Sequence, residues 1–80
     1  MSLDKQHIPA VQTLLANTLA LSMTAEQADE AGMMRAEAML TELTSAMRLL
    51  MDGLVPQAQD AVNRAAKEDA LPFPVSITAS

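Results

Sequence analysis

The chain has 80 residues and no cysteine, half of its residues are apolar, and ten acids against five Lys and Arg residues give a formal net charge of −5. This length allows one domain, the apolar share excludes an intrinsically disordered chain, and the missing cysteines exclude a disulfide framework and thiol chemistry. The five basic residues do not cluster, so we expect neither nucleic acid nor an anionic membrane as a binding partner.

The first predicted element is a helix of medium length. Residues 1–8 show no periodicity and are predicted to form a flexible N-terminus. Pro9 suits the first turn of a helix, where its missing N–H needs no partner, and a helical apolar pattern covers residues 9–22. The side predicted to face the core comprises Val11, Leu14, Leu15, Thr18, Leu19, Leu21 and Ser22, and the residues predicted to lie off this side are Gln12, Thr13 and Asn17.

A longer helix is predicted over residues 24–52. Thr24 and Gln27 have the spacing of a capping box, and Gly53 is typical of the position just after a helix end. Gly32, inside this helix, is expected to mark a bend or a close helix contact. An apolar stripe repeats at alternating steps of three and four residues, the spacing of one helix face that packs against another helix. The members of the stripe are Met33, Ala36, Leu40, Leu43, Met47, Leu50 and Leu54.

A short third helix is predicted over residues 56–69 and an extended tail over residues 70–80. Pro56 fits a helix start, and the apolar face of this helix consists largely of alanine, which buries little area per residue. In the tail, apolar residues alternate with proline or hydroxyl residues, which is the period of an extended chain. Such a tail either lies as a strap over its own helices or docks on a partner.

Together these elements predict an all-α fold in a single domain, residues 1–80. The medium and the long helix form a helical hairpin, to which the short third helix and the extended C-terminal tail are added. Much of the apolar content is alanine and methionine, and Phe73 is the one aromatic residue. Because such a small core gives limited stability, we expect homodimerisation to complete the hairpins into a bundle.

Residues that carry chemistry form no recognisable constellation in the sequence. The acids of the second helix fit a helix start that the helix dipole stabilises, and the single histidine, His7, lies outside the helices. We therefore predict no catalytic, cofactor-binding or metal-binding residue and no enzymatic activity. A metal or small-ligand binding subunit, in which two chains share their acids, is a third alternative for the function.

Surplus apolar side chains are the predicted partner-binding residues. Met34, Ala38 and Leu49 project to the side of the second helix opposite its stripe, where a hairpin needs no apolar contact. The second predicted surface consists of the apolar residues of the tail: Leu71, Phe73, Val75 and Ile77. Either surface would bind another protein or a second copy of this chain.

These features favour a small acidic, non-catalytic interaction module of the adaptor, chaperone or anti-activator type, which binds a partner protein through apolar helix faces. The main alternative is a structural or regulatory homo-oligomer without a separate client. The apolar run at residues 14–23 is about half the length that spans a bilayer, and the N-terminal residues lack the pattern of a signal peptide. The expected location is therefore the cytoplasm.

Overall fold

The computed structural model describes residues 4–77, and residues 1–3 and 78–80, which belong to the predicted flexible N-terminus and extended tail, lie outside the described part. A short 3-10 helix at Lys5–His7 precedes three α-helices. These are α1 (Ile8–Gln27), α2 (Glu30–Met51) and α3 (Val55–Glu68). The regular structure of residues 4–77 is entirely helical, which confirms the all-α fold.

The boundary between the first two helices lies at residues 28–29 and not at residues 22–24. Thr24 is inside α1, where its hydroxyl donates to the carbonyl oxygen of Ala20 at 3.0 Å, so the predicted cap at Thr24 is wrong. Asp29 caps α2 instead, and its carboxylate accepts from the backbone N–H of Gly32 at 2.8 Å. An aspartate satisfies an unpaired N–H there and also places a negative charge at the positive end of the helix dipole.

Gly32 allows the chain to approach itself closely at the start of α2. A Cβ atom at this position would lie 2.9 Å from the Cβ of Ala28 and 3.1 Å from the Oδ1 of Asp29. The first distance is shorter than the contact that two carbon atoms tolerate. The glycine therefore marks a close contact with the connection that precedes α2, and not the predicted contact with another helix.

The end of α2 at Gly53 is confirmed. Gly53 has a φ of 79°, a left-handed conformation that glycine adopts without steric cost. Its N–H donates to the carbonyl oxygen of Leu50 at 3.0 Å, and the N–H of Leu54 donates to that of Leu49 at 2.9 Å. This pair of bonds is the Schellman arrangement, which satisfies carbonyl groups in the last turn of a helix.

α2 is the central helix, because it packs against both α1 and α3. Its buried side chains also follow alternating steps of three and four residues: Ala36, Met39, Leu43, Ala46 and Leu50. The predicted stripe is therefore confirmed in part. Leu40 and Met47 pack at the edge of the core, whereas Met33 and Leu54 are exposed. Because α2 packs against α1 on one side and α3 on the other, its buried face is centred between these two helices. This position explains why the buried residues differ from those of the predicted stripe.

α3 buries its small side chains within the same chain. Its buried residues are Ala58, Ala61, Val62 and Ala65. Alanine lets two helix backbones approach closely, and these residues need no second chain to be covered. Arg64 and Glu42 join α3 to α2 through an Nε to Oε2 contact of 2.9 Å. The helix begins one residue earlier than predicted, and Pro56 lies in its first turn.

Candidate interaction surfaces

α1 carries apolar side chains on two opposite faces. The face toward the core buries Leu14, Asn17 and Leu21. The opposite face, referred to below as the outer face of α1, has four large apolar side chains that are between 43% and 65% exposed: Ile8, Leu15, Leu19 and Met23. Residues 8–25 include no charged side chain. Most of α1 is therefore a helix whose solvent-exposed side is apolar or uncharged.

Asn17 explains the orientation of α1. Its side chain is 0% exposed, and its Nδ2 donates to the carbonyl oxygens of Thr13 at 2.9 Å and Phe73 at 2.8 Å. Its Oδ1 accepts from the backbone N–H of Phe73 at 2.9 Å. Successive helical residues are separated by about 100°. Leu15 and Leu19, each two positions from Asn17, consequently point about 200° away from it, toward solvent.

The predicted core side of α1 is therefore wrong for Leu15, Leu19 and Ser22, which are exposed, and for Asn17, which is buried. A helix that is apolar around most of its circumference does not select one face by spacing alone. The signal that could have identified Asn17 lies in the tail. Phe73 is flanked by two prolines, which have no N–H, so its own N–H is the one backbone donor of residues 72–74 and needs an acceptor.

The tail lies along its own helices over residues 71–77. In addition to the Asn17 contact, the Oε1 of Gln59 in α3 accepts from the backbone N–H of Ile77 at 2.8 Å. Ile77 is 6% exposed and belongs to the core, and Leu71 and Val75 are half-buried against it. The side chain of Phe73 is 48% exposed. Of the four tail residues predicted to bind a partner, Phe73 is thus the one most open to solvent.

The surface predicted on α2 is smaller than expected. Met34 is 62% exposed, and Ala38, one turn later, is also exposed. Leu49, in contrast, is half-buried and packs against the core. The structure therefore keeps Met34 and Ala38 together at the surface and directs Leu49 partly toward the interior.

Residues 4–77 contain neither a grouped set of metal ligands nor a membrane-spanning helix. In this part of the chain, no three His, Asp or Glu side chains are grouped so that they could hold a metal ion. None of the helices described has both the length and the apolar character needed to cross a membrane. Each buried side-chain nitrogen or oxygen atom of the described residues has a hydrogen-bond partner.

The chain matches no protein-family model, no curated protein and no solved structure. Among the surfaces of residues 4–77, the outer face of α1 has the largest number of exposed large apolar side chains.

Proposed function

We propose that this protein is a small acidic interaction module of the adaptor, chaperone or anti-activator type, which acts by binding alone and contacts a partner helix through the outer face of α1. The observation that carries the proposal is the set of four exposed apolar side chains on a helix without charge over residues 8–25. Their exposed fractions amount to about 400 Å² of apolar surface, which is in the size range of patches that are often functional.

The outer face of α1 supports this proposal better than the surface on α2. Met34 has acidic neighbours one turn away on either side, Glu30 and Glu37, and both are exposed. A single apolar residue among charged ones is ordinary on protein surfaces. Met34 and Ala38 are consequently the second candidate surface. Phe73 is a further exposed apolar side chain, on the tail.

A structural or regulatory homo-oligomer is the alternative function. The same outer face would serve it, because an apolar helix face binds a like face of its own chain as readily as that of another protein. The two functions differ in the identity of the chain that covers α1, so an experiment that identifies this chain separates them.

Site-specific photo-crosslinking tests the proposal. A photo-reactive amino acid replaces Leu19, Met34 or Ala66 in the full chain, and the adducts formed in the producing cells are identified by mass spectrometry. Leu19 and Met34 are matched at 65% and 62% exposure, and Ala66 is an exposed control on α3. We expect a discrete polypeptide adduct at position 19 and none at position 66. An adduct only at position 34 would move the interface to α2, and no adduct at either position would contradict the proposed function.

A further inference from the structure

We infer that the outer face of α1 pairs with the same face of a second copy of this chain, and that the two helices run antiparallel. This inference rests on the part of the proposed function that makes the outer face of α1 the interface, and it names a second copy as the chain that covers this face, which corresponds to the homo-oligomer given as the alternative. The face is suited to a copy of itself because residues 8–25 bring no charge into the contact from either chain. The net charge of −5 is carried by residues outside this segment and is not buried by the pairing.

The charges at the two ends of α1 determine the orientation. Lys5 lies just before α1, and a group of exposed acids lies in the last turn of α1 and at the start of α2: Glu26, Asp29 and Glu30. Asp4 is next to Lys5 and is also exposed, so the Lys5 end carries no net charge from these two residues, whereas the other end carries three acids. An antiparallel pair brings Lys5 of each copy beside the acids of the other, whereas a parallel pair brings the two acidic ends together.

Lys5 and Glu26 are equally far from the middle of the outer face, which lies between Leu15 and Ala16. The same is true of Ile8 and Met23, so an antiparallel pair places Ile8 opposite Met23 and Leu15 opposite Ala16, while Leu19 lies opposite the uncharged Gln12. Antiparallel packing also places the positive end of each helix dipole near the negative end of the other. The end charges and the helix dipoles therefore favour the same arrangement.

The area of the outer face fits a reversible dimer. The four apolar side chains of each copy supply roughly 800 Å² in total, and the neighbouring uncharged residues bring the interface to about 1,000–1,200 Å², the low end for a specific complex. We expect a dissociation constant in the micromolar range. A monomer–dimer equilibrium is then visible by sedimentation velocity across roughly three decades of protein concentration around that range.

Engineered cysteines test the orientation directly, because the chain has none of its own. Ala16 and Ser22 are both small and exposed, so Ala16→Cys and Ser22→Cys are matched variants. In the antiparallel dimer the two copies of residue 16 lie near the symmetry axis, whereas the two copies of residue 22 are about 15–20 Å apart at a rise of 1.5 Å per residue. A disulfide needs Cα atoms within about 7 Å. We expect rapid disulfide dimerisation of Ala16→Cys only.

Charge exchange provides the second test. Lys5→Glu and Glu26→Lys are each expected to raise the dimer dissociation constant about three- to tenfold, because each places like charges at both ends of the pair. The double variant with both substitutions restores opposite charges and is expected to return within about twofold of the unmodified chain. Parallel pairing would leave the single variants close to the unmodified protein, since like residues would face each other in every case.

Leu19→Lys and Met34→Lys complete the experiment. Leu19→Lys buries two ammonium groups in the apolar contact and is expected to weaken the dimer at least about 100-fold, whereas Met34→Lys leaves it unchanged. A chain that is monomeric at all concentrations, or equal crosslinking of Ala16→Cys and Ser22→Cys, would overturn the inference. In the photo-crosslinking experiment, an adduct of position 19 with another polypeptide and not with this chain would also overturn it, but would leave the proposed function intact.

Discussion

Replacing Asn17 should destabilise the fold, even though an apolar residue would usually be preferred at a buried position. Asn17→Ala removes the two hydrogen bonds that hold the backbone of Phe73 and the bond to Thr13, with donor–acceptor distances of 2.8–2.9 Å. Each such bond contributes about 1 kcal/mol, and unpaired partners in a half-buried site add to the loss. We expect the free energy of unfolding to fall by about 2–4 kcal/mol.

Thermal unfolding followed by circular dichroism measures this loss. For a domain of this size, each kcal/mol corresponds to about 4–8 °C, so the melting temperature should fall by roughly 10–25 °C. Gln27→Ala, at an exposed position at the end of the same helix, is the control and should change it little.

Asn17→Leu distinguishes hydrogen bonding from simple burial. Leucine has the same number and branching of side-chain heavy atoms as asparagine and is more apolar, so a site that only requires apolar filling would become more stable. In the structure, leucine leaves the N–H and C=O of Phe73 facing hydrocarbon, and this variant should also lose stability. A melting temperature equal to or above that of the unmodified chain would refute our account of Asn17.

Truncation after Ala70 shows whether Asn17 acts through the tail. The shortened chain should itself melt at a lower temperature, because it loses the core residue Ile77 and both amide contacts of the tail. In this background Asn17 keeps only the bond to Thr13, so Asn17→Ala should cost much less than in the full chain. An equal cost in both chains would show that the contact with Phe73 contributes nothing.

Three further substitutions test local features, each by urea denaturation. Gly32→Ala should not show the gain of about 1 kcal/mol that alanine usually gives inside a helix, because its Cβ would meet that of Ala28 at 2.9 Å; the full gain would show that space exists. Gly53→Ala should lose about 1 kcal/mol, because φ is 79° there, and an unchanged stability would argue against this cap. Arg64→Ala should cost less than about 1 kcal/mol, since the pair with Glu42 is partly exposed, and the cost should shrink in high salt; a larger, salt-independent loss would contradict this account.

Local signals in the sequence were sufficient to predict how many α-helices the chain forms and where each lies approximately. The prolines at the helix starts, the glycine after α2 and the apolar spacing of α2 each act within one or two turns. The boundary between α1 and α2 was harder, because Thr24 and Asp29 are both good caps. The structure selects Asp29 and continues α1 to Gln27, which lengthens the first helix by more than a turn.

The outer face of α1 could not be predicted from local signals, because a contact between residues 56 positions apart determines it. An apolar period is read from residues within one helix. It therefore does not detect that a distant tail residue packs against that helix. Met34 and Ala38 could be placed at the surface because they fall outside the apolar stripe of α2. The outer face of α1 was missed because its residues continue the helical apolar pattern of that helix.

The two apolar sides of α1 differ little in the hydrocarbon area that each would bury. This small difference allows other contacts to determine the orientation of α1 and the exposure of its outer face. Rotating α1 to bury Leu15 and Leu19 would expose Leu14 and Leu21. Burial of either pair contributes several kcal/mol to stability, but the area of buried hydrocarbon would change little between the two orientations. The hydrogen bonds of Asn17 to Phe73, at about 1 kcal/mol each, are therefore large enough to decide which side faces the core. The tail thus stabilises the fold and, by the same contact, presents the apolar face that we assign to the partner.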